Sequence, residues 1–134
     1  MATEELWRMT ATQVVEALRK GELHPTETVE AAIERIEAVD DIVNALPIRC
    51  FDRAHAAAKK ISSSEDPRHL AGLPIAVKDY NDIGGVRTTY GSRIYEHYTP
   101  EQSDATVATL ESRGAIPIAK SNVPEWAGGH TFNP

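Results

Sequence analysis

Val29, Ala32, Ile33, Ile36 and Val39 recur at spacings of three and four, and Glu27, Glu30, Glu34, Arg35 and Glu37 fill the positions between them. That alternation is the signature of an amphipathic helix. Pro25 suits its first turn, and the pattern ends near Asp40-Asp41. Upstream, Thr10 and Gln13 have capping-box spacing ahead of Val14, Val15 and Leu18, and Gly21 follows Lys20 as a stop. The pattern therefore predicts a first helix over Ala11–Lys20. Phe51, Ala54, Ala57, Ala58 and Ile61 predict a third, alanine-rich helix. Between them, Asn44 to Cys50 is a candidate strand that Pro47 assigns to a sheet edge.

After the polar, aperiodic stretch Ser62 to Arg68, the pattern changes. Leu73-Pro74-Ile75-Ala76-Val77-Lys78 is a short apolar run with turn signals on both sides and predicts a buried strand. A turn-rich passage from Asp79 to Pro100 follows, with Gly84-Gly85, Gly91-Ser92 and tyrosines at 90, 95 and 98. Ser103 suits the cap of a helix whose apolar positions are Ala105, Val107, Ala108 and Leu110, ended by Gly114. Ala115 to Ala119 is a second apolar run ending in a lysine, Lys120. Ser121-Asn122 and Pro124 predict the cap and first turn of a last short helix, and the chain closes on Thr131–Pro134 in a loop. The fold class is α/β: a helical region over residues 1–67, then a βαβ-containing region over 68–134, within a single domain. Parallel strands joined by a right-handed crossover would put Lys78 and Lys120 at one sheet edge, where open α/β sheets place ligands.

Composition narrows the classes without choosing one. At 134 residues a single domain is expected, burying roughly 70% of its unfolded surface. The net charge of −6, with scattered Lys and Arg, argues against a nucleic-acid partner. The acidic opening Met1–Glu5 leads into no long apolar core, which argues against a signal peptide, and no run is long enough to span a membrane. Cys50 is the only cysteine, so neither a disulfide framework nor a cysteine metal site is expected, and a cytoplasmic setting is the simplest reading.

The chemistry rests on the lysines. A lysine acts as a base only when neutral, and a working pKa near 7–8 lies about 3 units, or about 4 kcal/mol, below the ordinary value. Desolvation at the end of an apolar strand has that sign, while a neighbouring carboxylate such as Asp79 opposes it. The plainer reading, an ammonium reaching water from a strand end, leads on these grounds, and nothing separates Lys78 from Lys120. Other candidates read as structure. Cys50 with His55 has the bland reading of a small buried hydrophobe beside a helix. Asp79, Asp82 and Asp104 lack a calcium-loop pattern and suit caps and turns. The five histidines show no ligand spacing, Ser103 and Ser121 read as caps, and Ser92 is ambiguous.

Four ordered blocks carry a resemblance. They are Ala71-Gly72-Leu73-Pro74-Ile75-Ala76-Val77-Lys78-Asp79, Gly85–Ser92, Ser103–Val107, and Gly114-Ala115-Ile116-Pro117-Ile118-Ala119-Lys120-Ser121-Asn122-Val123-Pro124-Glu125-Trp126. Together they resemble the N-terminal part of the amidase signature family, strongly from about His69 and more loosely before it. The resemblance implies an incomplete amidase-signature fold and hydrolysis of a carboxylic amide by a Ser–Ser–Lys triad, with no cofactor or metal. It implies that Lys78 is the base, acting through a serine in a cis peptide on a second, nucleophilic serine, with backbone amides holding the oxyanion. It assigns Lys120 to a structural strand end and leaves Asp79 as support for Lys78.

The Gly/Ser-rich segment that would carry both serines has no counterpart here; no Gly-Gly-Ser-Ser-Gly-like run occurs. The expectation is an N-terminal fragment whose partner is the remaining C-terminal amidase portion, inactive alone, acting on a small-molecule amide when complete. A homo-oligomer stays open. One alternative is part of an aminoacyl-tRNA amidotransferase subunit, which Asn122–Trp126 disfavours because that run is closer to the stand-alone amidases. The other is a non-catalytic interaction module using an exposed sheet edge.

Overall fold

A computed structural model describes residues 6–129; the acidic opening and the closing loop at Thr131–Pro134 lie outside these residues. The elements are α1 (Ala11–Lys20), α2 (Pro25–Val43), β1 (Ile48–Arg49), α3 (Phe51–Ala58), β2 (Pro74–Lys78), α4 (Ala105–Ser112) and β3 (Ile116–Ser121). None of the described helices is long and apolar enough to cross a membrane.

The α1 ends match the sequence reading: Thr10 and Gln13 form the capping box and Gly21 closes the helix in the left-handed region. Helix α2 starts as expected but runs past Asp40-Asp41 to Val43. Asn44, at φ 51°, provides its left-handed stop. The Asp40 carboxylate, within the last turn of α2, accepts from the Ala45 and Leu46 amides and so fixes the turn after the helix, while Asp41 pairs with Arg49. Helix α3 ends at Ala58, short of Ile61, which packs against the core from the following loop. The cap of α4 is Asp104, whose Oδ1 accepts from the Val107 amide at 2.9 Å, and not Ser103. The Ser103 hydroxyl instead accepts from the Gly84 amide at 3.0 Å and donates to Glu111 at 3.1 Å, joining the glycine turn to α4. The final turn is a 3-10 helix over Glu125–Ala127 capped by Pro124. Ser121 is the last residue of β3, and the Asn122 side chain donates to the Asn44 carbonyl.

The sheet is mixed, in the order β1-β3-β2. β1 pairs antiparallel with β3 at one edge, as Pro47 predicts, and β2 pairs parallel with β3 at the other. The buried strand is β3, with residues 116–120 all inside. β2 is only half-buried, and Ala76 and Lys78 are exposed. Both strands are apolar runs, and hydrophobicity alone cannot tell which one is central. Ile116, Ile118 and Ala119 pack with Val29, Ile33 and Ile36 of α2 and Ala54 and Ala58 of α3, so the early helices and the later strands share one core. A second cluster gathers Ile48, Val77, Ile83, Val86 and Val107. The polar loop after α3 is fastened to α1: one Arg19 nitrogen donates to the carbonyls of Asp66, Pro67 and His69.

Candidate active site

The two lysines that the sequence leaves equivalent end adjacent parallel strands. Pro74 pairs with Ile116 and Ile75 with Pro117, but Ala76 then pairs with Ala119, so β3 carries an extra residue at Ile118. A bulge of this kind shifts every later pairing by one. Lys120 thereby falls opposite Val77, and Lys78 opposite Ser121. An unbroken register would have set the two lysines side by side on one face. With the extra residue they share an edge and point to opposite faces, because paired residues on neighbouring strands point the same way and successive residues alternate.

On the face it shares with Val77, Lys120 is fully buried. Its ammonium donates to the Asn81 carbonyl at 2.5 Å and to Thr88 Oγ1 at 2.7 Å, and pairs with Asp79 Oδ1 at 3.3 Å. Burial pushes its pKa below the usual lysine value, while Asp79, and more remotely Asp82 and Asp104, oppose that shift. Asp79 is buried too, and Thr89 donates to it from both its amide and its hydroxyl. The Asp79 carboxylate therefore does not meet Lys78 directly. Asp79 is turned by the pleat toward Lys120. The three aspartates also divide rather than cluster: Asp82 accepts from the Tyr90 and Tyr98 hydroxyls, and Asp104 caps α4 and accepts from Asn81. Among the described residues no group of three or more His, Cys, Asp or Glu is arranged to hold a metal.

On the opposite face, which α2 and α3 cover over β3 but leave open at the end of β2, Lys78 is exposed, and its Nζ lies 5.0 Å from the centre of the Tyr80 ring. Among the described residues its ammonium makes no hydrogen bond or ion pair, while its carbonyl accepts from the Asn81 amide at 2.9 Å. The loop after β2 then folds over the strand ends. Tyr90 is stacked on Trp126 and Tyr98 and meets Tyr95 edge-on. Desolvation and the Asp82 carboxylate together push the Tyr90 hydroxyl far above the ordinary phenol range. Gly91 brings this loop against the backbone after β3. It has φ +66°, and an added Cβ would lie 2.6 Å from the Val123 carbonyl oxygen and 3.0 Å from the Glu125 nitrogen. Gly91→Ala is expected to cost at least ~2 kcal/mol, since both strain and a backbone clash oppose it. Gly85→Ala, with φ +75° but open space around it, should cost about 1 kcal/mol. Urea denaturation of the two variants checks the difference.

The remaining candidates are structural. The Cys50 thiol donates to the Pro117 carbonyl at 3.5 Å and burial raises its pKa, the opposite of an activated nucleophile. His55 lies near Glu30, not Cys50. Ser92 is buried and caps a 3-10 turn. Sequence reasoning missed Thr88, Thr89 and the Asn81 carbonyl. Two threonines in a turn-rich loop carry no periodic signal, and a backbone carbonyl carries none at all.

A family model described as Amidase matches residues 27–133. The chain belongs to the amidase family, the class that the four sequence blocks indicate. Among curated relatives, it is 39% identical over 127 residues to the amidase-family component of the glutamyl-tRNA(Gln) amidotransferase of Oleidesulfovibrio alaskensis, with 93% of this chain and 26% of the relative covered. The same component from Sulfolobus acidocaldarius is 40% identical over 119 residues, covering 88% and 25%. Among solved structures, an inhibitor-bound vestigial protein complex bearing on the origins of an s-triazine catabolic enzyme matches with a TM-score of 0.80 and 32% identity. It covers 87% of this chain and 27% of its own. The 6-aminohexanoate cyclic dimer hydrolase matches at 0.79 and 27%, over 90% and 24%. The chain spans about a quarter of the length of the curated relatives it matches.

Proposed function

We propose that this chain supplies the general base of an amide-cleaving site, with Lys78 as the base and the two serines of a Ser–Ser–Lys triad contributed by residues outside these 134. The contrast between the lysines carries the reading. Lys120 is buried against three oxygens, whereas Lys78 stands exposed at the carboxyl edge of β2 without a polar partner for its ammonium among the described residues. A base has to be reachable by the group it deprotonates. In the proposed cycle, neutral Lys78 takes a proton from the bridging serine, which takes one from the nucleophilic serine. The serine oxygen attacks the amide carbonyl, the C–N bond breaks, and the amine leaves carrying the proton. Water then releases the acid from the acyl-enzyme.

The 134-residue chain alone is expected to form no acyl-enzyme, and an acyl-enzyme is expected only when the chain is complemented by the remaining three quarters of an amidase. Intact-mass analysis after exposure to an activated amide reads both states. An acyl-enzyme on the isolated chain contradicts the proposal. The names of the 39–40% identical relatives favour a second reading, in which the same lysine serves a tRNA-dependent amidotransferase and the released ammonia passes to an aminoacyl-tRNA. Glutamine cleavage that rises on addition of partner proteins and charged tRNA supports that reading, and cleavage indifferent to them supports the stand-alone hydrolase.

A further inference from the structure

Lys78 reaches the open face on a single residue of backbone, and the residue that follows it is tied at every polar atom. The Asp79 amide donates to the Ser121 carbonyl at 3.0 Å, and its carbonyl accepts from the Tyr90 amide at 2.9 Å. Its carboxylate is held by Lys120 and by Thr89, whose hydroxyl in turn accepts from the Gly91 amide at 3.1 Å. One buried residue, through its backbone and its carboxylate, thus joins β3 and the tyrosine loop immediately beyond Lys78.

We infer that the buried Lys120–Asp79–Thr89 cluster is a positioning device that fixes the direction in which Lys78 leaves the end of β2. The inference rests on the reading of Lys78 as the base. Its geometry follows from the extra residue in β3: the bulge that turns Lys120 away from Lys78 also aims it at the carboxylate of Lys78's neighbour. Lys120 and Thr89 reach Lys78 only through the backbone: both through Asp79, and Lys120 also through Asn81, whose amide donates to the Lys78 carbonyl at 2.9 Å. Misplacing a reacting group by about 1 Å can cost ~100-fold in rate. Losing one tie is expected to show in turnover before it shows in substrate affinity.

The test uses the active enzyme that carries these residues, with Thr89→Val, Thr89→Ser, Asp79→Asn and Lys78→Ala compared in kcat and KM on one amide substrate. Thr89→Val keeps the shape and removes the hydroxyl, and Thr89→Ser restores it. The expected result is a fall of ~10-fold or more in kcat for Thr89→Val and Asp79→Asn, KM within about twofold, and recovery in Thr89→Ser. Circular dichroism and a melting curve establish that each variant is folded; if Asp79→Asn does not fold, the Thr89 pair decides alone. Folded Thr89→Val with unchanged kcat, beside an inactive Lys78→Ala, overturns the inference and leaves Lys78 as the base. Full activity in Lys78→Ala overturns the reading itself, and the inference with it.

Discussion

Lys78→Ala is expected to lower kcat/KM of the active enzyme by about 10⁴-fold, because removing one member of a unit that transfers a proton removes the function of the whole unit. Lys78→Arg should fall as far. Arginine keeps the positive charge and nearly the reach, but it does not give up its proton in the working range, so charge and basicity are separated by the pair. If Lys78 instead served by holding a negative charge, the arginine variant would keep much of the rate. The pH profile adds a sign. A base that works in its neutral form gives a kcat/KM that rises with pH, and that limb should vanish in both variants while the residual rate stays flat. Neither variant should weaken the fold much, since Lys78 is exposed and its ammonium lies over the Tyr80 ring, a contact of about 0.5–1 kcal/mol.

Lys120→Met should act in the opposite way, on stability. The methionine fits the volume, but it leaves the buried Asp79 carboxylate with only the Thr89 donors and leaves Thr88 Oγ1 and the Asn81 carbonyl without the ammonium. Breaking a buried pair from one side costs about 3–5 kcal/mol, because an uncompensated charge remains inside. For a chain of this size that is a fall of about 10–20 °C in Tm. Asp79→Asn in the same background should recover part of the loss by removing the stranded charge. Thermal denaturation of the two single variants and the double one gives the coupling directly, and strict additivity would mean that the pair is not a unit.

The pattern of apolar positions made the helices legible down to single residues where a cap chemistry was specific. Thr10-Gln13 and Gly21 define α1 as read, whereas Ser103 was read as the cap of α4 and it is the carboxylate of the next residue, Asp104, that reaches the α4 amides. The parallel pairing of the two lysine-ended strands was also legible, because an apolar run, a helix and a second apolar run leave few topologies. The order of burial was not, and neither was the bulge. A one-residue skip at Ile118 has no marker in Ile116-Pro117-Ile118-Ala119, yet it decides which lysine faces Asp79. Adjacency in sequence suggested that Asp79 serves Lys78. Alternation along the strand turns its carboxylate to Lys120, so its link to Lys78 runs through the backbone. The resemblance to amidases separated the lysines before any geometry did, and the geometry now adds a physical reason for the separation: one ammonium is fully engaged and the other is exposed.

Rapid-quench measurement of the acylation step in the active enzyme, parent against Lys78→Ala, is the most direct test. With substrate in excess and Lys120 intact in both, the parent should show a burst of covalent acyl-enzyme and Lys78→Ala should show none within the parent's turnover time. A burst of undiminished rate in folded Lys78→Ala would contradict the assignment of the base to the exposed end of β2.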